Sequence, residues 1–242
     1  MKIGLQLYSI REIIDGNIPY ALELAGKAGY DGVEFAGFGG LTAAQLKNEL
    51  AKNGLVAAGA HIGMEPFRED FEGTLKYAVE AGIQTICVPW ASVDDSYEGW
   101  ANLGKEMDKI GAKLRKNGNL FGYHNHSHEF KKFEGKYAIE ILLENSSPEN
   151  VFFEMDTMWA HKGGVDPAAF IKTYAGRAHV LHAKDEDTEG MDTEAGTGIF
   201  DFVKIADAAK ADWLVVEQEA FKIDLIESIG ISARTLKGLF AK

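Results

Sequence analysis

Hydrophobic and polar positions alternate along the chain in a repeating order. A short apolar run is followed by a turn, then by a segment with the periodicity of an amphipathic helix, and then by the next apolar run. Eight such units follow one another. The predicted strands cover residues 2–8, 31–36, 55–61, 83–89, 119–125, 150–156, 178–184 and 213–218. The predicted helices cover residues 18–28, 42–53, 68–81, 96–117, 136–144, 166–175, 199–210 and 223–240.

The junctions between these segments support the same division. Glycine suits the left-handed conformation that terminates helices, and it ends four helical patterns just before a strand, at Gly29, Gly54, Gly82 and Gly118. Thr42 and Asp166-Pro167 are typical of helix starts, with a capping side chain or a proline in the first turn.

Repeated strand-then-helix units form either a closed barrel or a doubly wound sheet. The count of eight and the length of 242 residues favour the barrel, because barrels of this kind commonly run to about 250 residues. No Gly-x-Gly-x-x-Gly motif follows the first strand, which weakens the dinucleotide-binding alternative. The sequence therefore predicts an α/β protein, a single (β/α)8 TIM barrel domain over residues 1–242.

Composition and charge narrow the expected partners. The net charge is −12, whereas nucleic-acid binding needs clustered Lys and Arg, so no nucleic-acid partner is expected. No stretch approaches the roughly 18 apolar residues of a membrane span, so no membrane partner is expected either. The first residues lack a signal-peptide pattern, which predicts a cytoplasmic location. Many barrels form oligomers, and a homo-oligomer is compatible with this sequence.

Polar residues recur where the predicted strands end, which is where barrel active sites lie. These strand ends carry Glu34, His61, Trp90, His124-Asn125-His126, Asp156, His182-Ala183-Lys184-Asp185 and Glu217-Gln218-Glu219. Ionisable groups that point into a barrel are costly to bury unless they are paired or bind a metal. A mixture of carboxylates and imidazoles suits a divalent cation such as Mn, Zn, Co or Mg.

Three of these strand ends resemble a known family. Asp156 within Glu-Met-Asp-Thr-Met-Trp, His182 within His-Ala-Lys-Asp, and Glu217 within Val-Val-Glu-Gln-Glu are similar to the metal-binding strand ends of xylose isomerase-like sugar isomerases and epimerases. They occur in the family's order on strands six, seven and eight, and the resemblance covers essentially the whole chain. The Tyr-His-Asn-His of strand five, residues 123–126, resembles a subgroup often labelled sugar phosphate isomerase/epimerase.

The resemblance implies one divalent metal ion. Sugar epimerases of this group hold it with a glutamate from strand five and with Asp, His and Glu from strands six to eight. The last three carry over to Asp156, His182 and Glu217. His124 stands near the place of the first glutamate, and His126 competes with it for that role.

The resemblance also implies a small-molecule sugar substrate and an isomerase or epimerase that acts on a keto- or aldo-sugar through a metal-stabilised enediolate. Glu217 or His124 is expected to remove the proton, and Lys184 to stabilise negative charge. Further expected substrate contacts are Glu34, His61, Trp90, His126, Glu129 and Trp159. Because His124 replaces a glutamate, two-glutamate epimerisation is in doubt, and a dehydratase of a keto-sugar or inosose is the alternative.

Two other classes share this architecture. Abasic-site endonucleases bind three zinc ions and need more histidine and acidic ligands, whereas this acidic chain has seven histidines in total. A non-catalytic carbohydrate-binding barrel is the other, since fold alone does not establish activity. The acidic stretch 185–194 is expected to be a solvated loop.

Overall fold

Eight parallel strands close into a barrel in the computed structural model, which describes residues 1–241. In chain order the strands are β1 (Lys2–Gln6), β2 (Gly32–Phe35), β3 (Val56–His61), β4 (Thr85–Val88), β5 (Leu120–His124), β6 (Phe152–Asp156), β7 (Val180–Ala183) and β8 (Trp213–Val216). Each strand pairs with the next, and β8 pairs back onto β1, with Gly4 beside Val215. The predicted (β/α)8 barrel is confirmed.

Helices follow the strands and surround them. They cover Arg11–Ile14, Ile18–Ala28, Ala43–Lys52, Met64–Glu69, Phe71–Ala81, Tyr97–Arg115, Ala138–Glu144, Thr157–Lys162, Pro167–Lys172, Phe202–Ala209 and Leu225–Phe240. Single 3-10 turns cover Leu7–Ile10 and His128–Phe130, and two short antiparallel ribbons pair Lys132–Phe133 with Lys136–Tyr137 and Asp185–Glu186 with Asp192–Thr193. Within residues 1–241, none of the helices has the length and apolar character that crossing a membrane requires.

Local sequence explains most helix boundaries. The four predicted terminating glycines all have positive φ, for example +90° at Gly29. Thr42 caps its helix as predicted, because its Oγ1 accepts a hydrogen bond from the backbone N–H of Gln45 at 3.3 Å. The single helix predicted over residues 68–81 is wrong. Two helices meet at Asp70 instead, whose side chain accepts a hydrogen bond from the N–H of Gly73 and starts the second helix.

Side-chain alternation gives each strand two environments. Outward residues such as Leu5, Val33 and Phe153 are fully buried and belong to the large apolar core of the molecule. The barrel interior holds a second, small apolar cluster made of Ala58, Cys87, Phe152, Val180 and Val215. Cys87, the single cysteine of the chain, is thus a buried member of this cluster. On their strands, Ala58, Phe152, Val180 and Val215 precede the polar residues His61, Asp156, His182 and Glu217, so the polar residues lie nearer the carboxyl ends.

The buried side chain of Arg177 stabilises the turns that precede β6. It lies away from the strand ends that carry polar residues. The guanidinium of Arg177 donates hydrogen bonds to the carbonyl oxygens of Val151 (2.8 Å) and Leu143 (2.7 Å). Arg177→Met removes two donors from the Val151 carbonyl and one from the Leu143 carbonyl, which keeps a hydrogen bond from the hydroxyl of Ser146. At about 0.5–1.5 kcal/mol for each hydrogen bond lost, we expect the free energy of unfolding to fall by about 2–4 kcal/mol. Urea unfolding measures this loss. Arg115→Met, at an exposed position, is the control, and an equal loss in both variants would contradict the prediction.

Candidate active site

A cavity of about 400 Å³ opens at the carboxyl ends of the strands. The residues that line it are Gln6, Tyr8, Ala36, His61, Pro89, Trp90, His124, His126, Trp159, Glu217 and Glu219. This volume lies in the range of about 300–1,000 Å³ that is typical of small-molecule pockets. The end of the barrel at which active sites form therefore has room for a small ligand.

Four consecutive strands bring one ionisable side chain each to the inner end of this cavity. They are His124 of β5, Asp156 of β6, His182 of β7 and Glu217 just after β8. Each offers one potential ligand atom, and these four atoms all lie within 4.8 Å of one another. All four residues are buried. The structure thus brings together the four side chains that the sequence singled out as a metal-ligand set.

Two atoms of this set, Oδ2 of Asp156 and Nδ1 of His124, are buried and have no hydrogen-bond partner among residues 1–241. The other oxygen of Asp156, Oδ1, accepts a hydrogen bond from the backbone N–H of Trp159 at 2.8 Å and starts the helix Thr157–Lys162. A buried carboxylate oxygen without a partner is costly. A cation or a donor placed between these side chains would remove that cost.

A layer of paired acids and histidines lies against this set inside the barrel. Nε2 of His61 is 2.7 Å from Oε2 of Glu154 and 3.2 Å from Oε2 of Glu34. The same oxygen of Glu34 is 2.6 Å from Nε2 of His182 and accepts a hydrogen bond from the side-chain amide of Gln6 at 2.8 Å. His182 is therefore shared between this layer and the four-residue set.

The charges within this layer compensate one another. Burial disfavours a charged Glu34, but His61 and His182 outweigh it and hold the pKa of Glu34 below its ordinary value. Burial, together with the charge of Glu34, raises the pKa of Glu154. His61, His124, Glu154 and His182 also form a second group with potential ligand atoms within 4.8 Å of one another, so two overlapping ligand sets compete for His124 and His182.

Lys184 sets the electrostatics of the four-residue set. It is buried, its Nζ lies 3.4 Å from Oε1 of Glu217, and it also contacts Glu219. Burial disfavours a charged Glu217, but Lys184 and a hydrogen bond with His182 hold the pKa of Glu217 well below its usual range. Burial raises the pKa of Asp156 to about 7 despite Lys184. Asp156 is thus the acid of the set whose charge is least compensated.

The other predicted substrate contacts fall into two groups. His61, His126, Trp90 and Trp159 line the cavity, and Trp90 is 56% exposed. Glu34 does not line it, because its carboxylate turns into the paired layer and contacts His182.

Glu129 also lies outside the cavity lining, contrary to expectation. It is fully buried, and its carboxylate accepts hydrogen bonds from the hydroxyl of Tyr123 at 2.9 Å and from the backbone N–H of His126 at 2.7 Å. Tyr123 belongs to the large apolar core outside the barrel, so the chain after β5 folds Glu129 back against the outer side of that strand. Glu129 holds the turn and does not face the cavity.

Among the polar residues of the cavity, Gln6 and Tyr8 were not predicted, and Glu219 was noted only as a polar strand end without a role in the site. Gln6 carried a usable signal, because it is a polar residue within the apolar run 3–8 of the first predicted strand. Tyr8 had none, since it lies in the 3-10 turn after β1, which the sequence did not predict.

The acidic stretch 185–194 is not the solvated loop that was expected. Asp185, Glu186 and Asp192 are buried. The carboxylate of Asp185 accepts hydrogen bonds from the backbone N–H groups of Gly196 and Gly198, both at 2.9 Å. These hydrogen bonds hold the loop after β7 in place. The buried Asp185 carboxylate therefore orders the segment and does not keep it in solvent.

Fold and site together define a class of protein: a (β/α)8 barrel whose strand ends enclose a cavity over buried carboxylates and imidazoles, at the position of barrel active sites. The family follows from sequence comparison. The chain belongs to the xylose isomerase-like TIM barrel family, whose model matches residues 22–238.

Solved structures agree with this assignment. A sugar phosphate isomerase/epimerase from Parabacteroides distasonis is 26% identical, with a TM-score of 0.86 over 98% of this chain and 93% of its own. An L-ribulose 3-epimerase is 17% identical, with a TM-score of 0.71 over 98% and 93% of the two chains. A probable 3-DHS dehydratase from Bacillus anthracis is 14% identical, with a TM-score of 0.76 over 98% and 99%. Comparison with curated proteins gave no sequence match.

Proposed function

We propose that this chain is a divalent-metal-dependent sugar isomerase or epimerase that acts on a keto- or aldo-sugar. The observation that carries the proposal is the set of His124, Asp156, His182 and Glu217, whose ligand atoms lie within 4.8 Å of one another beside the cavity. The similarity to a sugar phosphate isomerase/epimerase over nearly the whole chain supports the same reaction class.

The residues present fit a bound divalent ion. Two carboxylates and two imidazoles are a ligand set suited to Mn, Zn, Co or Mg. Oδ2 of Asp156, which has no hydrogen-bond partner within residues 1–241, is an atom that such an ion would satisfy. Bound there, the ion supplies Lewis acidity to a carbonyl oxygen of the sugar.

The chain's own groups would handle the proton. Glu217 lines the cavity, and one of its oxygens lies 3.4 Å from the ammonium group of Lys184, so its carboxylate is oriented and able to accept a proton from the carbon next to the carbonyl. His124 is a further cavity-lining group that can move a proton. Lys184 is placed to compensate the negative charge that develops nearby.

The cavity wall suits a sugar. Trp90 and Trp159 offer aromatic surface to the apolar face of a sugar ring, while Gln6, His61 and His126 offer hydrogen-bonding groups to hydroxyls. Aromatic and polar groups in one cavity suit a ring that has both an apolar face and hydroxyl groups.

Deuterium exchange tests the proposed function directly. The metal-loaded chain is incubated with free and phosphorylated keto- and aldo-sugars in deuterated water, and NMR follows deuterium at the carbon next to the carbonyl. We expect exchange together with an isomer or epimer for at least one sugar. Exchange that ends in loss of a hydroxyl group would assign the chain to the dehydratases instead. No exchange with any sugar would overturn the proposal.

Glu34→Gln tests how His182 is held. Nε2 of His182 lies 2.6 Å from Glu34, and carboxylates that fix a metal-binding imidazole in this way typically contribute about 10- to 100-fold to metal affinity. We expect Glu34→Gln to weaken Mn²⁺ binding by about that factor while the ion count at saturation stays the same. Calorimetric titration measures both quantities. Unchanged affinity would show that Glu34 does not position His182.

A further inference from the structure

The chain just after β5 gathers a second group of potential metal ligands. The sequence here reads His-Asn-His-Ser-His-Glu over residues 124–129. His126, His128 and Glu129 each offer one ligand atom, and these atoms all lie within 4.8 Å of one another. None of the three belongs to the proposed four-residue set. We call His126, His128 and Glu129 the loop cluster.

The carboxylate of the loop cluster is fixed in advance. Glu129 is fully buried and accepts hydrogen bonds from the hydroxyl of Tyr123 at 2.9 Å and from the backbone N–H of His126 at 2.7 Å. Nε2 of His128 approaches Oε1 of the same carboxylate to 3.2 Å. A carboxylate held this firmly loses little freedom when it binds a cation, which favours binding.

The hydrogen bonds that Glu129 accepts fix the position of its carboxylate. They do not account for the positions of the His126 and His128 rings. Nδ1 of His126 is buried and lacks a hydrogen-bond partner in the part of the chain that the structure describes. The rings of His126 and His128 lie nearly parallel, with centroids 6.0 Å apart and an angle of 18° between planes. Two imidazoles are thus arranged beside a fixed carboxylate, and one of them carries an unsatisfied buried nitrogen.

The chemistry of the loop cluster selects the ion. Calcium and magnesium prefer oxygen ligands, whereas two histidines and one glutamate match the three protein ligands of a zinc site that keeps one position open. His126 also lines the cavity, so the cluster reaches the same space as the four-residue set.

We propose that the loop cluster is a second metal site, which binds zinc at the wall of the cavity. A zinc ion there would place a second positive charge beside a cavity whose lining includes the carboxylates of Glu217 and Glu219, and it would be able to take one further oxygen ligand. This site uses none of the four residues assigned to the first ion, so the two proposals can be tested separately.

The test counts zinc ions on the intact chain. Protein stripped with a chelator is titrated with zinc alone, and native mass spectrometry gives the ion count. We expect about two ions on the wild type and about one on His128→Asn, since the loss of one imidazole from a three-ligand site removes most of its affinity. The control is His161→Asn, because the side chains of His128 and His161 are both 47% exposed and each contacts one glutamate. This control is expected to keep about two ions.

Each outcome separates the second site from the first. A single ion on the wild type that persists in His128→Asn and disappears in Asp156→Asn would overturn the loop cluster and leave the proposed function standing. Two ions in both His128→Asn and the wild type would also overturn it. Loss of one ion in His128→Asn and of the other in Asp156→Asn is the result that the proposal requires.

Discussion

Asp156→Asn is expected to abolish the stabilisation that Mn²⁺ gives to the folded chain. An ion that binds only the folded state at a free concentration 100 times its dissociation constant stabilises by about 2.7 kcal/mol, which raises the melting temperature of a chain of this size by about 5–10 °C. Asp156 supplies the unpartnered Oδ2, and a neutral amide at that position both removes a negative ligand and places a donor where the ion would bind. Thermal unfolding with and without Mn²⁺ measures the shift, which should be near zero in the variant.

The direction in which Asp156→Asn changes the melting temperature without metal can also be predicted. Asparagine keeps an oxygen that can accept the hydrogen bond from the N–H of Trp159, and it removes a buried carboxylate whose pKa burial raises to about 7. In chelator the variant should therefore unfold at a temperature no lower than the wild type. A lower melting temperature in chelator would mean that Asp156 has a structural role that does not depend on an ion.

Glu154→Gln is the matched control, because it makes the same chemical change two residues earlier on β6. Glu154 belongs to the overlapping set with His61, His124 and His182, so the pair of variants decides which set holds the ion. We expect Glu154→Gln to keep the Mn²⁺-induced shift. Loss of the shift in Glu154→Gln and its retention in Asp156→Asn would move the metal site into the paired layer.

The barrel could be predicted because its signals are local. Each unit repeats an apolar run and a helical pattern with a terminating glycine, as at Gly29 and Gly82, and these depend on neighbouring residues alone. The misses were short elements without such a period. Thr157–Lys162 has only six residues, and its start depends on the cap from Asp156, so it has too few positions to show a hydrophobic repeat.

The candidate site was predictable in part for the same reason. Parallel strands place equivalent positions at one end of the barrel, so His124, Asp156 and His182 meet whatever the details of packing. How a buried side chain is oriented, and where the chain folds back on itself, depend on residues far away in the sequence. The sequence could not show that Glu34 turns into the paired layer toward His182, or that Glu129 folds back onto Tyr123.

The paired layer gives a physical reason for so many inward acids. A structural ion-pair network is the ordinary explanation of buried carboxylates, and Glu34 and Glu154 each place one oxygen within 3.2 Å of His61. Asp156 is different, because within residues 1–241 the nearest basic nitrogen, Nδ1 of His182, is 4.0 Å from its Oδ2, and Lys184 contacts Glu217 and Glu219 instead. The contrast between acids that pair closely with a histidine and an acid without such a pair separates a structural explanation from a functional one in this barrel.

Glu217→Gln is expected to lower the rate of substrate deuterium exchange by about 10²- to 10⁴-fold, the usual contribution of a positioned acid or base. The side-chain amide keeps the shape and an oxygen ligand, but it cannot accept a proton. Exchange is therefore measured at saturating Mn²⁺, with the bound ion counted in the same sample, so that loss of the base is separated from loss of the metal.

Glu219→Gln provides the control for this last comparison. Glu219 lines the same cavity and contacts the same Lys184, but it lies outside the four-residue set, so its exchange rate should stay within about 10-fold of the wild type. Equal losses in the two variants would show that the negative charge shared with Lys184 matters and that neither carboxylate is the base. Retention of exchange in metal-saturated Glu217→Gln would overturn Glu217 as the base and leave the cavity-lining imidazoles, of which His124 is the first to test, as the groups that accept the proton.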